Sequence, residues 1–542
     1  MAAPDAAGGQ GARAAAGDPG RAALGFALLL YAIHVALLAG FTSDDAFISF
    51  RYARNIATGL GPVFNPGERV EGFSNPLYTF LLAALHRVIP GDAAFPVAAR
   101  SLGVLSGALS LWLLTRLPGA SGAWRTALAL ALTATSTSFA LWSVGGLETA
   151  LYGTLILGGV VLTLRSPRRA RDDIALGLVL AAITLSRPEG GLPAAALWLW
   201  RWFDPETRRD FGGHARVLVA ALVPVALYLG WRHAYYGEWL PNTWLAKRMP
   251  RAIALRLGLG YLGDFIAANG TALLYAPALL AIVFLRRSRA VLPALMVIGF
   301  DLAHVLVTGG DWMDAHRFVA PVVPLICLVV AEGWMTLFAG AATWLAGRGA
   351  ARAGVVLLKL GAVAVWCALQ VPNLALTRHE RAAPYVNADP YYSTMGRLVA
   401  AVSEPAWSVA TDDIGAIGWY GHIRVIDMLG LVNRELARRE TDVQHLVALN
   451  YPQLIVLHYD DAALPRARWR TLRIRDFDSL YVAPVGPIAV PGALRVRTDV
   501  REAVEARLAA LPAPLAEDLV ALDAYLRTHQ PDMRPIRTPG GP

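Results

Sequence analysis

Charge is what this chain of 542 residues is short of: Asp, Glu, Lys and Arg make up 16% of it, against 56% hydrophobic residues. Soluble domains carry about a quarter charged residues, so the composition is that of a membrane protein. Cysteine is scarce too. The two present, Cys327 and Cys367, both lie inside apolar runs, which excludes a disulfide framework and a cysteine zinc site. No Walker loop and no cytosolic globular domain can be read, so a nucleotide-sugar has no obvious seat. The net charge of +9 comes from arginines clustered in short loops between apolar runs. Lipid orientation explains that pattern better than a polyanion does, and nucleic acid is not an expected partner.

What is present is a series of apolar runs of roughly membrane length. Residues 1–20, made mostly of Ala, Gly, Asp, Pro and Arg, are expected to be disordered. Arg21–Gly40 reads as a retained span with no clean cleavage site after it. Further runs lie near 94–117, 126–144, 147–165, 174–186, 190–203, 215–233, 270–285, 290–308, 318–340 and 353–372. Eleven to thirteen spans are expected over residues 21–372, with Pro76–Pro90 too short to cross. The basic loops Ser166–Arg171, Arg201–Arg216, Arg286–Arg289 and Gly347–Arg352 belong on the cytoplasmic side. Thr42–Pro76, Gly145–Glu148, Arg187–Gly190, Tyr235–Pro250 and Gly309–Arg317 then fall outside. From Asn373 the texture changes. Short strand-like runs (Trp407–Thr411, Leu454–His458) alternate with helical ones (Asn433–Arg439, Asp499–Arg527 broken at Pro512 and Pro514), giving a C-terminal extracytoplasmic α/β domain over 373–542. The fold class is mainly α: a polytopic membrane helical bundle followed by that domain.

Polar residues collect in the outer loops. Thr42–Pro76 carries seven charged side chains, beginning with Asp44 and Asp45 where the first span ends. Phe47, Phe50, Ala53 and Ile56 then recur at helical spacing, predicting a short amphipathic helix at the interface. Arg51, Glu68, Glu71 and Asn75 follow in the same loop. Elsewhere stand Glu148, the pair Arg187 and Glu189, Tyr236, Asn242, Lys247, and the dense run Asp311, Asp314, His316 and Arg317. Each has a plainer alternative: an interfacial aromatic belt for the Trp-rich loop, a helix-end salt bridge for Arg187–Glu189, a helix cap for Glu148, a packed core histidine for His304. Together, carboxylates, guanidiniums and aromatic rings on one side are the parts a sugar transferase needs. Carboxylates and amides bind hydroxyls, Arg or Lys takes up charge on a leaving phosphate, and a carboxylate serves as base to the acceptor hydroxyl.

The chain resembles the GT-C class of integral-membrane glycosyltransferases, which use polyprenyl-phosphate sugars on the outer face of the membrane. Within it the chain looks most like the bacterial arabinofuranosyltransferase group, which includes a mycobacterial terminal β-(1→2) enzyme. The resemblance rests on DDAFISFRYARN (44–55), PVFNPGERVEGFSNPL (62–77), GGLETALY (145–152), RPEG (187–190), YYGEWLPNTWLAK (235–247), GGDWMDAHRFVAP (309–321) and DIGAIGWYGHIRVIDMLGL (413–431). It implies inverting transfer from a polyprenyl-phosphate sugar, best matched by arabinofuranose, to a glycan, glycolipid or glycoprotein acceptor at a bacterial inner membrane. Asp44 matches the position of the class's base or substrate-orienting carboxylate, and Asp45 that of its supporting or metal-binding one. Arg187, Lys247 and Arg317 are candidates for the donor phosphate, and Glu68, Glu71 and Asn75 for orienting the sugar or closing the loop over it. Some members of the class need a divalent metal such as Mg or Mn and others do not; two adjacent carboxylates leave that open. Asp412, Asp413, His422 and Asp427 could line an acceptor path or occupy surface turns. A transporter or flippase for a polyprenyl-linked lipid is the alternative.

Overall fold

The structure, a computed structural model, describes residues 19–117, 122–166, 168–269, 289–382, 389–456 and 494–529, with scattered positions between 275 and 283 and between 480 and 485. Of the N-terminal segment expected to be disordered, only Pro19 and Gly20 are described, and they open the first helix. The final residues 530–542 lie outside the described residues, as do most positions of the run at 270–285.

The chain begins with α1 (Pro19–Leu37), α2 (Asp44–Ala57), α3 (Pro76–Val88), α4 (Ala94–Leu114), α5 (Gly122–Ala134), α6 (Thr137–Val144) and α7 (Thr149–Thr163). Next come α8 (Ala170–Ser186), α9 (Gly191–Phe203), α10 (Phe211–Tyr236), α11 (Asn242–Ala246), α12 (Arg251–Asn269), α13 (Val291–Thr308), α14 (Val323–Ala346) and α15 (Ala351–Ala382). Among the described residues, six helices are long and apolar enough to cross a membrane, or seven if the bent pair α5–α6, kinked by 56°, is one span. The eleven to thirteen spans expected from the sequence include shorter runs and the one at 270–285, most of which lies outside the described residues. Helices such as α7 and α9 have only 15 and 13 residues, and a helix rises 1.5 Å per residue, so they fall short of a ~30 Å hydrocarbon core. They pack instead within a multi-pass bundle, where α8 lies along α10, α4 along α7 and α14 along α15. Within α12, Gly258–Gly263 spell GxGxxG. A dinucleotide fingerprint needs a strand-to-helix turn, and this string sits in mid-helix.

After α16 (Asp389–Val402) the chain forms a five-stranded sheet in the order β2-β1-β3-β5-β4. Its strands are β1 (Ser408–Thr411), β2 (Arg424–Asp427), β3 (Leu454–Val456), β4 (Tyr481–Val482) and β5 (Leu494–Arg497). β1 runs parallel to β2 and β3, with Val409 opposite Val425 and Leu454, while β5 is antiparallel to β3 and β4. The helices α17 (Gly415–Gly421), α18 (Arg434–Ala437), α19 (Val443–Asn450), α20 (Arg501–Ala509) and α21 (Ala513–His529) surround it. Pro512 stands in the break between α20 and α21, while Pro514 is tolerated in the first turn of α21, where its missing N–H would be unpaired anyway. The second half of Leu454–His458 lies outside the described residues.

One hydrophobic core joins α2 and α3 to α16, α17 and the sheet; a second fills the bundle around Tyr152, Ile156, Leu197 and Leu325. The predicted helix after the first span forms, and its Phe47, Phe50 and Ala53 are fully buried. It is not an interfacial helix with a wet face. Ser49, Arg51 and Asn55 on its polar side are buried as well, because α3 and α17 pack against it.

Candidate active site

Asp44 and Asp45 are the first two residues of α2, where the helix dipole favours negative charge. The Asp44 side chain reaches across to a second helix start. Its Oδ2 accepts the Gly415 N–H at 2.9 Å and its Oδ1 accepts the Ala416 N–H at 2.8 Å. These amides open α17, just past the carboxyl end of the parallel strand β1, where ligands of such sheets bind. The approach requires glycine. A Cβ on Gly415 would stand 1.9 Å from the Asp44 carbonyl oxygen and 2.6 Å from Oδ2. Gly415→Ala is therefore expected to push α17 off Asp44 and remove activity while helix content by circular dichroism stays parental. Parental activity in that variant would show the contact to be dispensable.

Asp44 is buried yet borders a narrow cavity with Phe41, Trp142, Trp312, Met313 and Tyr392. Burial first, then the charge of Asp413, holds its pKa well above the usual carboxylate range, against the pull of the two α17 amides. Burial, then the charge of Asp45, pushes Asp413 up to about 7, with a Tyr392 hydrogen bond opposing. A carboxylate has about four lone-pair directions; the amides take two, so Asp44 keeps capacity to accept a proton from the cavity. An acid whose pKa is raised is ionised only above it, so a base at Asp44 works better as pH rises. Asp413→Asn removes a like charge and should move the acid limb of kcat/KM to lower pH. A limb at the parental pH would contradict the coupling.

Asp45 is the more open of the pair, its side chain 22% exposed and its Oδ2 4.0 Å from Arg317 Nη1. Arg317 is anchored by Asp311, whose Oδ2 accepts from Nε at 2.5 Å, and lies 5.3 Å from the Phe318 ring centroid. The loop that carries it is strained: Ala315 and His316 have φ of 50° and 56°. His316 packs against Tyr261 and Phe265, and burial pushes its pKa down to about 4, so it is neutral there. The Asp314 side chain lies outside the described residues.

A second polar cluster lies deeper. Asn75 Nδ2 donates to Glu148 Oε2 at 2.7 Å, and Glu148 Oε1 accepts from Arg187 at 3.0 Å. Arg187 also pairs with Glu189, which His304 approaches at 3.9 Å. Glu71 accepts from Tyr228 at 2.5 Å and pairs with Arg232 at 2.8 Å. Both Arg187 and Arg232 are sealed among their partners, which makes them supports of the site's walls. His304 is thus tied to a buried carboxylate rather than packed alone.

Arg51 and Glu68 fasten the first loop to the C-terminal unit, Asn242 ties α11 to that unit, and Tyr236 ties α10 to the first loop. Arg51 donates to the carbonyls of Phe64, Gly418 and Ile423 and to Asn65. Glu68 accepts from Arg424 at 2.9 Å; Asn242 Nδ2 donates to the carbonyls of Gly430 and Leu431; the Tyr236 hydroxyl donates to Pro62. Their polar atoms are spent on protein partners. Lys247 is exposed, at the end of α11. Asp427 caps a turn through the N–H groups of Leu429, Gly430 and Val432, His422 pairs with Asp92, and Asp412 is buried beside Asp413. Sequence alone did not single out Tyr392, Trp142 or Arg232. Arg232 left a signal, since a guanidinium far from the first turn of an apolar 26-residue helix must find a buried partner. Among the described residues no three His, Cys, Asp or Glu side chains gather as a metal site, and both Asp44 oxygens already accept amides.

The fold is shared with a solved structure. The crystal structure of ArnT from Cupriavidus metallidurans bound to undecaprenyl phosphate superposes with a TM-score of 0.52 at 14% identity, covering 81% of this chain and 93% of that one. The architecture is accordingly that of the GT-C class, a helical membrane bundle with a small C-terminal sheet. In sequence the chain is similar to the terminal β-(1→2)-arabinofuranosyltransferase of Mycobacterium tuberculosis, 32% identical over 223 residues, which are 38% of this chain and 34% of that protein. It is similar also to the enzyme of the same name from Corynebacterium glutamicum, 28% identical over 363 residues, 56% of this chain and 51% of that protein. The chain thus spans between a third and about half the length of these curated relatives. Residues 378–497 match a family described as a domain of unknown function (DUF8728).

Proposed function

We propose that the chain is an integral-membrane glycosyltransferase that moves a pentose, arabinofuranose by similarity to the curated relatives, from a polyprenyl-phosphate donor to a glycan or glycoconjugate acceptor. The observation that carries the reading is Asp44: a cavity-lining carboxylate held in place by two backbone amides. Burial and the charge of Asp413 raise its proton affinity, which suits a base. The acceptor oxygen attacks the anomeric carbon and its proton passes to Asp44. The bond from that carbon to the phosphate oxygen breaks, and its electron pair leaves with the polyprenyl phosphate. Arg317, anchored by Asp311 and facing Asp45, is the group placed to take up the charge on that phosphate. The bundle, residues 21–372, would admit the lipid donor from the bilayer, and the unit from 373 onward would close the site on the extracytoplasmic side of an inner membrane.

Direct displacement inverts the anomeric centre. The test is the configuration of the product linkage by NMR against that of a synthetic donor of known anomer. Opposite configurations support Asp44 as base; the same configuration would require a covalent sugar–carboxylate intermediate and overturn that role. Arg317→Gln should raise KM for the donor roughly 10-fold or more, as loss of a charge-assisted contact to phosphate does. An unchanged KM would remove Arg317 from the donor site.

A further inference from the structure

Apart from the carboxylate site, a groove of about 560 Å³ runs between the segment Leu245–Pro250 and the segment Ala437–Glu440. Lys247, Arg248, Arg251, Arg438 and Arg439 stand along or next to it in the chain, against Glu238 and Glu440. Arg438 is tied down by both carboxylates. Arg248 and Arg439 have no carboxylate partner among the described residues. Arg248 lies 4.2 Å from the Trp244 ring centroid, and Arg439 reaches only the Arg248 carbonyl, at 3.5 Å. Arg439 is held at φ 61°, a left-handed conformation that side-chain-bearing residues rarely keep without a reason.

The surroundings indicate what the free guanidiniums meet. Pro250 leads into α12, which exposes Ile253, Leu255, Leu257 and Leu259, so the cations stand beside an exposed apolar helix surface. Met249, on the groove wall, touches the position of Gly309, whose loop continues into Asp311 and Arg317. Arginines at a bilayer boundary recognise phosphate, bidentately and at close range. We propose that this groove holds a phosphate group at the membrane surface, supplied by an anionic lipid headgroup, in a seat separate from the carboxylate site. The proposal goes beyond the transferase reading and its test needs no sugar transfer.

The purified full chain in detergent is offered phosphatidylglycerol, phosphatidylcholine with the same acyl chains, and inorganic phosphate, with bound lipid counted by native mass spectrometry and stability read by thermal shift. Phosphatidylglycerol should be retained roughly 10-fold over phosphatidylcholine. The double variant Arg248→Gln/Arg439→Gln should lose that preference, while Arg248→Lys/Arg439→Lys keeps most of it. Stabilisation by inorganic phosphate that the Gln variant loses also supports the seat and names soluble phosphate as sufficient. Equal retention of both lipids by the parental chain, or an unchanged preference in the Gln variant, overturns the proposal.

Discussion

Replacing Asp44 with Asn is expected to lower turnover by about 10²- to 10⁴-fold, the usual worth of a general base. Donor affinity should change little, because Arg317 is held by Asp311 and approaches Asp45 rather than Asp44. The substitution also sets an amide NH₂ against one of two backbone N–H donors, from Gly415 or Ala416. A donor facing a donor weakens that docking, so the rate must be read beside a structural control. Limited proteolysis or hydrogen exchange over 415–421 serves: a lost rate with parental protection assigns the loss to proton transfer. A parental rate would remove Asp44 from the chemistry.

The largest expected effect on stability is at Arg187. Its guanidinium is enclosed by Glu148 and Glu189 with the rings of Tyr152 and Phe318 5.7 and 5.0 Å away. Arg187→Ala leaves two buried carboxylates without their cation, and breaking a buried pair in this one-sided way costs about 3–5 kcal/mol. A marked fall in the thermal midpoint in detergent is expected. Exchanging both ends, Arg187→Met with Glu148→Gln, should recover part of it, since the unpaired charge is what costs most. A parental midpoint for Arg187→Ala would mean that water already reaches the cluster.

Local signals carried the sequence a good way. The helix after the first span was legible from Phe47, Phe50 and Ala53, whose period of three to four residues gives one apolar stripe. The ion pair in Arg187-Pro188-Glu189 was legible because its partners are two residues apart. What tells the two aspartates apart was not. Asp44 meets amides 371 and 372 residues further along the chain, and no local pattern records a partner so distant. Arg51 shows the same limit. It looked available to a substrate, yet it donates to Gly418 and Ile423, 367 and 372 residues away. Strands β2 and β5 also escaped notice. Each has four residues, of the form RVID and LRVR, too short for alternation to stand out from a turn. Span number is the feature apolar runs report least directly, because a run reports burial, and a bundle buries short helices as readily as lipid does.

The most direct measurement is transfer of labelled sugar by the purified full chain, in lipid nanodiscs, from a panel of polyprenyl-phosphate pentoses and hexoses to a glycan acceptor. Transfer from a pentose donor, arabinofuranose above the others, and its loss with Asp44→Asn, is the expected result. No transfer from any donor, together with movement of a polyprenyl lipid across vesicle membranes, would contradict the transferase assignment and make the chain a transporter.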